Sequence, residues 1–112
     1  MQKIEAIVRE ERLPIVLAAL GEHGYGGITM TQVRGHGRQR GVTEQWRGNE
    51  YRVDFLPKIK IEMIVADNVA DSVINTICEN ARTGAVGDGK IWATPVTRVV
   101  RVRTGEVGEA AI

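Results

Sequence analysis

Two strand–helix–strand patterns occupy most of this chain, and the stretch between them, 37–57, follows neither period. That division limits the possible folds more than any other feature. Compact domains rarely keep loops longer than about 12–15 residues unless the loop has a job or is disordered. Disorder predicts few aromatics. Yet Trp46, Tyr51 and Phe55, three of the five aromatic residues in the chain, lie in this stretch. It reads as a loop that touches something.

The flanking patterns are regular. Residues 1–9 are apolar at Ile4, Ala6, Ile7 and Val8, which suggests a central strand. Leu13, Val16, Leu17 and Leu20 form an amphipathic helical stripe, with Pro14 in its first turn and Glu10 and Glu11 near the positive end of the dipole. Gly21, Gly24, Gly26 and Gly27 end the helix, and 28–34 read as a second strand. After the long loop, 58–66 alternate cleanly. Ile59, Ile61, Met63 and Val65 share one face, and Lys58, Lys60, Glu62 and Ile64 share the other. Asp67 or Asn68 can cap a second helix, whose apolar face carries Val69, Val73, Ile74, Ile77, Cys78 and Ala81. A glycine loop spans 83–89. Strand pattern resumes at 90–93 and 97–102, interrupted around Pro95, and 103–112 read as a polar tail or short loop.

This order predicts one α+β domain over 1–112, a ferredoxin-like βαββαβ antiparallel sheet with both helices on one face and the long loop between strands 2 and 3. The second sheet face stays uncovered. Ile7, Val33 and Ile64 would make it partly apolar, so a homo-oligomer is expected.

Composition removes several function classes. The net charge of +1 leaves no general attraction to nucleic acid or membrane, so any basic site is a local cluster. Cys78 is the single cysteine, which rules out an internal disulfide, and no Cys/His set has zinc spacing. It reads as a small core residue, with nothing basic placed to activate it. The reducing cytoplasm is the natural compartment. The N-terminus already resembles a strand rather than a signal peptide, and no apolar run approaches the roughly 18 residues of a membrane span.

Three constellations suit anion chemistry. Gly84-x-x-x-x-Gly89-Lys90 has the glycine and lysine spacing of a P-loop, but Ile91 stands where the magnesium-binding Ser or Thr belongs. Its context is reversed too, because it leaves a helix and enters a strand. Gly87, Gly89 and Lys90 suit an anion cradle; a glycine turn that merely ends a helix fits the same residues. Arg101 and Arg103, two apart, would share one side of a strand and suit phosphate oxygens, or would form a solvated face. Gly35-His36-Gly37-Arg38-Gln39-Arg40-Gly41 permits close backbone approach, with Arg38 and Gln39 as donors and the Gln39 oxygen as a metal contact. His36 has no ligand partner at metal spacing and reads as an exposed polar residue. Lys58 stands where the long loop rejoins the sheet and could pair with a carboxylate. Tyr51 is a contact or modification candidate, or simply exposed. No nucleophile–base–acid set is present in the sequence pattern.

With these residues in view, the chain resembles the PII nitrogen-regulatory signal-transduction family along its whole length. The resemblance is carried by Gly35-His-Gly-Arg-Gln-Arg-Gly41, Arg47-Gly-Asn-Glu-Tyr-Arg-Val-Asp-Phe-Leu-Pro-Lys58, Thr83-Gly-Ala-Val-Gly-Asp-Gly-Lys90 and Val100-Arg-Val-Arg-Thr-Gly-Glu106. It implies a ferredoxin-like homotrimer with nucleotide sites between subunits, ATP or ADP bound competitively, and 2-oxoglutarate bound with Mg-ATP. By the resemblance, Gly87, Asp88, Gly89 and Lys90, with Arg101 and Arg103 from a neighbouring strand, would hold phosphates. Thr29, Gly35, Gly37, Arg38 and Ile64 would line the nucleotide. Gln39 would ligate Mg2+, and Lys58 would meet a 2-oxoglutarate carboxylate. Tyr51 matches a tyrosine that nucleotidyltransferases modify in some members. Ammonium channels and nitrogen-metabolism enzymes are the implied targets, and a channel would bring the protein to the membrane. Trp46, Ala85, Glu10 and Glu11 depart from the commoner family residues; Ala85 removes one charge from the phosphate region.

The expectation is a non-catalytic sensor that regulates partners through 37–57. The alternatives are a slow ATPase or phosphotransferase on the same glycine loop, and an RNA-binding module. The latter would need aromatics on the central strands, and strands one and three carry none.

Overall fold

The computed structural model describes the backbone of residues 1–36, 42–46, 49–53 and 55–112, and the side chains of 1–36 and 55–112. Strand β1 is Gln2–Arg9, helix α1 Leu13–Glu22, β2 Thr29–Gly35, β3 Val42–Trp46, β4 Asn49–Val53, β5 Leu56–Val65, helix α2 Asp67–Ala81 and β6 Gly89–Pro95. A 3-10 turn, Glu10–Arg12, leads into α1, and another, Gly108–Ala111, lies near the C-terminus. The main sheet is four-stranded in the order β2-β5-β1-β6, with every neighbouring pair antiparallel. This is the ferredoxin-like βαββαβ arrangement that the periodicity predicts.

Alternation sorts the residues of β1 and β5. Ile4, Ala6, Val8, Ile59, Ile61, Met63 and Val65 point into one core with Val16 and Leu20 of α1 and Ala70, Val73, Ile77 and Ala81 of α2. Each large aliphatic side chain removed from water contributes about 1.5–3 kcal/mol before chain entropy is set against it. Thr76, buried on α2, donates back to the Ser72 carbonyl at 2.8 Å, so its hydroxyl is satisfied within the helix. Both helices therefore cover the same face.

The opposite face carries Lys3, Glu5, Ile7 and Arg9 from β1, and Lys58, Lys60, Glu62 and Ile64 from β5. Ile7, Val33 and Ile64 are half-buried there, as expected. A charged array separates them. Lys3 approaches Glu5 at 3.3 Å and Glu62 at 3.5 Å, while Lys60 approaches Glu5 at 3.2 Å and Glu62 at 3.1 Å. Burial opposes ionisation of Glu5, but bonds from Lys60 and Lys3 outweigh it and hold the carboxyl below its ordinary value. The uncovered face is thus apolar at its margins and ionic in its middle.

Four expectations need correction. The segment 97–102 forms no strand. The β1–β6 ladder ends at Gln2↔Pro95, and Val96 makes one further bond, to the Met1 carbonyl at 3.0 Å. Beyond that, β1 supplies no further pairing edge. The chain instead makes an isolated bridge, Val100↔Val107, around a turn at 102–104. Arg101 and Arg103 therefore do not share a strand face. Second, the stretch 37–57 is not structureless, since β3 and β4 pair as an antiparallel hairpin from Val42↔Val53 to Trp46↔Asn49. Strand β5 also begins inside that stretch. Pro57 is tolerated because β1 pairs only from Lys58 onward, leaving β2 as the neighbour of β5 at Pro57. Third, neither Asp67 nor Asn68 caps α2. The N-cap is Ala66, with no side-chain bond, and Asp67 accepts instead from the Met1 ammonium at 3.1 Å and Gln2 Nε2 at 3.3 Å. Fourth, Cys78 lies at the margin of the core rather than within it. Arg82 Nη2 reaches its Sγ at 3.2 Å, so a basic group does stand beside the thiol.

Candidate functional site

The site is assembled where β1, β5 and the glycine loop meet. Arg9 closes β1 and is the register partner of Lys58 on β5, so antiparallel pairing puts both side chains on the uncovered face at one end of the sheet. Ile7 pairs with Lys90, which places a third cation on that face. Ile7, Gly35, His36, Leu56, Lys58, Trp92 and the loop 85–90 border an open cleft of about 820 Å³; Arg9 is not in its wall but bonds to the loop at Val86 and Asp88.

The loop takes its shape from Asp88. One carboxylate oxygen accepts from the Thr83 hydroxyl and from Arg9 Nε at 3.0 Å; the other accepts from the backbone N–H of Thr83 at 2.8 Å and of Gly84 at 2.9 Å. The Thr83 hydroxyl accepts in turn from the Ala85 N–H at 3.2 Å. The loop's first backbone donors are thus spent on an internal anion. A bound phosphate would have to use the later part of the loop, nearer Lys90. The Thr83 hydroxyl is the largest influence holding Asp88 far below the ordinary aspartate value. Partial burial opposes it, and the Thr83 N–H, Arg9 and the Gly84 N–H reinforce it.

That direction fixes a pH dependence. A carboxylate depressed in the fold stabilises it at all pH above its ordinary value, and the contribution is lost only as pH falls through the depressed one. Amide resonances of Thr83 and Gly84 should therefore stay in place as an acid titration passes 3.8, the ordinary aspartate value. A transition in these two resonances at or above that pH would show that Asp88 does not hold the loop.

Gly89 closes the loop. Its φ is +101°, and a Cβ there would stand 1.7 Å from the Ile7 carbonyl oxygen. No side chain fits, because backbone meets backbone as β6 enters its ladder with β1.

Lys58 is 7% exposed, and its Nζ donates to the Gly87 carbonyl at 2.6 Å. Burial is the first cause lowering its pKa and the Arg9 charge the second, opposed by Glu11 and Asp88. A buried ammonium beside another cation favours the arrival of an anion. The cleft's donor set, with Lys58, Lys90 and a glycine loop backed by Arg9, fits a polyanionic ligand.

Comparisons with known proteins show the family. The sequence model of the family described as Nitrogen regulatory protein P-II matches residues 1–106. The Nitrogen regulatory protein P-II of Klebsiella oxytoca and the Nitrogen regulatory protein P-II 1 of Escherichia coli K12 are each 53% identical over 112 residues, covering 100% of both chains. The Nitrogen regulatory protein P-II 2 of Methanothermobacter thermautotrophicus is 52% identical over 100% of this chain and 97% of its own.

The chain belongs to the P-II family.

Within this P-II chain the residues singled out from sequence fall into separate groups. Gly35, Lys58, Gly87, Asp88, Gly89 and Lys90 come together around the cleft. Ile64 borders a different cleft, of about 640 Å³, with Gly24, Gly26, Gly27 and the C-terminal Ala111 and Ile112. Thr29 pairs with Glu62 on the neighbouring strand, toward that same end. Lys58 and Ile64 are separated by about 20 Å, at about 3.3 Å per strand residue. Arg101 borders neither cleft; it donates to Glu106 at 3.0 Å and to the Ile112 carbonyl at 3.2 Å. Arg103 lies in the exposed turn. Gly37, Arg38 and Gln39 lie outside the described residues, as does the side chain of Tyr51, whose backbone pairs with Glu44 in the hairpin. No group of three or more metal-ligating side chains occurs among the described residues. Sequence reading missed Arg9, Ile7, His36 and Trp92 as neighbours of the site. His36, exposed as expected, stacks at a tilt on Phe55 with ring centroids 5.4 Å apart.

Proposed function

We propose that this P-II protein is a non-catalytic sensor of nitrogen, carbon and energy status, binding ATP or ADP and 2-oxoglutarate and acting on targets through 37–57. The observation that carries the reading is the cleft itself. It joins the glycine loop to Gly35 and to Leu56 and Lys58, which lead into and out of the long connection. A ligand bound there touches both roots of that segment, and shifts its ensemble if it binds the alternative forms unequally. Lys58 would meet the 2-oxoglutarate carboxylate, Lys90 and the later loop the phosphates, and Gln39 the Mg2+ that, when bound, links nucleotide and effector.

The division of the site between the two ends of β5 favours a closed ring of copies. Ile64, Thr29 and the arginines Arg101 and Arg103 of one subunit would complete the cleft of the next, which a homotrimer permits. Val102, 99% exposed, projects from the same turn as Arg103 and gives a neighbouring subunit an apolar contact. Targets would be an ammonium channel or nitrogen-metabolism enzymes in the cytoplasm. A nucleotidyltransferase acting on Tyr51 would add a covalent signal. No described helix is long and apolar enough to cross a membrane, so any membrane contact would run through a channel partner.

The absence of turnover has its own support. Among the described residues Asp88 is the carboxylate bordering the cleft, and its oxygens are taken by four donors, two on each oxygen. Held far below the ordinary range, it is a poor general base.

Calorimetry with 2-oxoglutarate, with and without Mg-ATP, on the wild type and Gln39→Ala tests the reading. 2-Oxoglutarate should bind only with Mg-ATP present, and Gln39→Ala should abolish that dependence together with binding. Nucleotide-independent binding, or none, would remove the mechanism. Steady multiple-turnover ATP hydrolysis would favour the enzyme instead.

A further inference from the structure

The glycine loop is held in two ways, and they differ in range. Asp88 bonds to Thr83 and Gly84, five and four residues away, which gives the loop its shape. Those bonds do not say where the loop sits on the sheet. The loop's end is anchored where Gly89 and Lys90 join the ladder with β1; ahead of that, Val86, Gly87 and Asp88 are tied to the sheet by one cross-strand pair. Arg9, 79 residues from Asp88, donates Nε to that carboxylate at 3.0 Å and Nη2 to the Val86 carbonyl at 2.8 Å. Lys58, its register partner, donates to the Gly87 carbonyl at 2.6 Å. Three consecutive loop residues are thus gripped by a single pair of cations.

The two grips suit different tasks. The Arg9 side chain is 15% exposed and makes two separately directed bonds, one on each side of Gly87. A guanidinium stays charged throughout the working range and offers its donors in a fixed fork. The Lys58 ammonium is a point charge on a flexible stem, able to rotate from a carbonyl to a carboxylate. If Lys58 alone located the loop, moving to a ligand would release the loop at the moment of binding. With Arg9 in place, the loop keeps its position while Lys58 changes partner.

We propose that Arg9 is a positioning residue for the anion site, fixing Val86 and Asp88 so that Lys58 can exchange the Gly87 carbonyl for a ligand carboxylate without the phosphate loop moving. The inference rests on the nucleotide and 2-oxoglutarate reading above. Glu11 supplies an internal control. It is 68% exposed and stands 3.9 Å from Arg9 Nη1, too long for a bond that positions anything.

The test uses the full chain as Arg9→Met, Arg9→Lys and Glu11→Gln, with two readouts. Hydrogen exchange of the ligand-free protein follows residues 83–89, with α2 amides as the measure of global folding. Calorimetry follows ATP, then 2-oxoglutarate in the presence of Mg-ATP. Arg9→Met should speed loop exchange and weaken both ligands by about tenfold, the equivalent of one lost charge-assisted bond. Arg9→Lys should recover part of each, and Glu11→Gln should stay within about twofold of wild type. Loop exchange that is unchanged in Arg9→Met overturns the proposal. So does weaker binding without faster loop exchange, because Arg9 would then touch the ligand itself. Should Arg9→Met lose the α2 protection, Arg9→Lys carries the same comparison. If the wild type binds neither ligand, the sensor reading falls, while loop exchange still decides whether Arg9 is the brace.

Discussion

Replacing Gly89 by alanine is expected to cost the fold about 3–5 kcal/mol, a large share of the stability of a domain this size. Two costs add. A φ of +101° is one that side-chain-bearing residues rarely adopt, and the new Cβ would lie 1.7 Å from the Ile7 carbonyl oxygen. Nothing nearby can rotate away, since Ile7 is central to the sheet and its neighbour Val8 pairs with Gly89. The first residues of β6 would detach, taking Lys90 out of the cleft. Gly84→Ala separates the two costs. Its φ is +89°, but an added Cβ meets nothing within 4 Å, so it pays for strain alone, about 1–3 kcal/mol. Urea denaturation of both variants checks this, and equal losses would show that the close approach to Ile7 is relieved cheaply.

Lys58→Met should separate binding from folding in the opposite sense. Losing the ammonium should weaken 2-oxoglutarate by about 30-fold or more, corresponding to about 2 kcal/mol for one partner of a desolvated charge pair. Stability should change by less than about 1 kcal/mol, because methionine fills the same space without burying a charge. The pH dependence gives a second check. Burial, then Arg9, lowers the Lys58 pKa, so the unfolded chain holds its proton to higher pH than the folded one. Wild-type stability should therefore rise, relative to Lys58→Met, between the depressed folded value and 10.5, the ordinary lysine value. Denaturation midpoints for the two proteins across that window measure it. A parallel pair of curves would mean that Lys58 is not desolvated.

What the sequence made legible was what depends on local period. The stripe at Leu13, Val16 and Leu20 and the alternation at Ile59, Ile61 and Met63 identify their elements, because each segment buries one face whatever its neighbours. The segment 97–102 has equal β character, but a strand needs a partner edge, and β1 runs out at its first residues. That is a fact about another part of the chain. The site divides in the same way. Glycine spacing and Lys90 point to the loop, and alternation puts Lys58 on the uncovered face. Arg9 carries no local signal at all. It becomes part of the site only through an antiparallel register that sets it opposite Lys58, and through a loop that returns to it 77 residues later.

The charged array on the uncovered sheet face has a further consequence. Lys3, Glu5, Lys60 and Glu62 carry +1, −1, +1 and −1, which sum to zero. With no net charge, such a patch exerts little pull at a distance, and its pattern is felt only within a few ångströms. A surface laid upon it in the wrong register would set like charge against like. Toward any surface laid on it, the array would act as an address rather than an adhesive. It would add little to how strongly that surface was held, and much to which alignment was accepted.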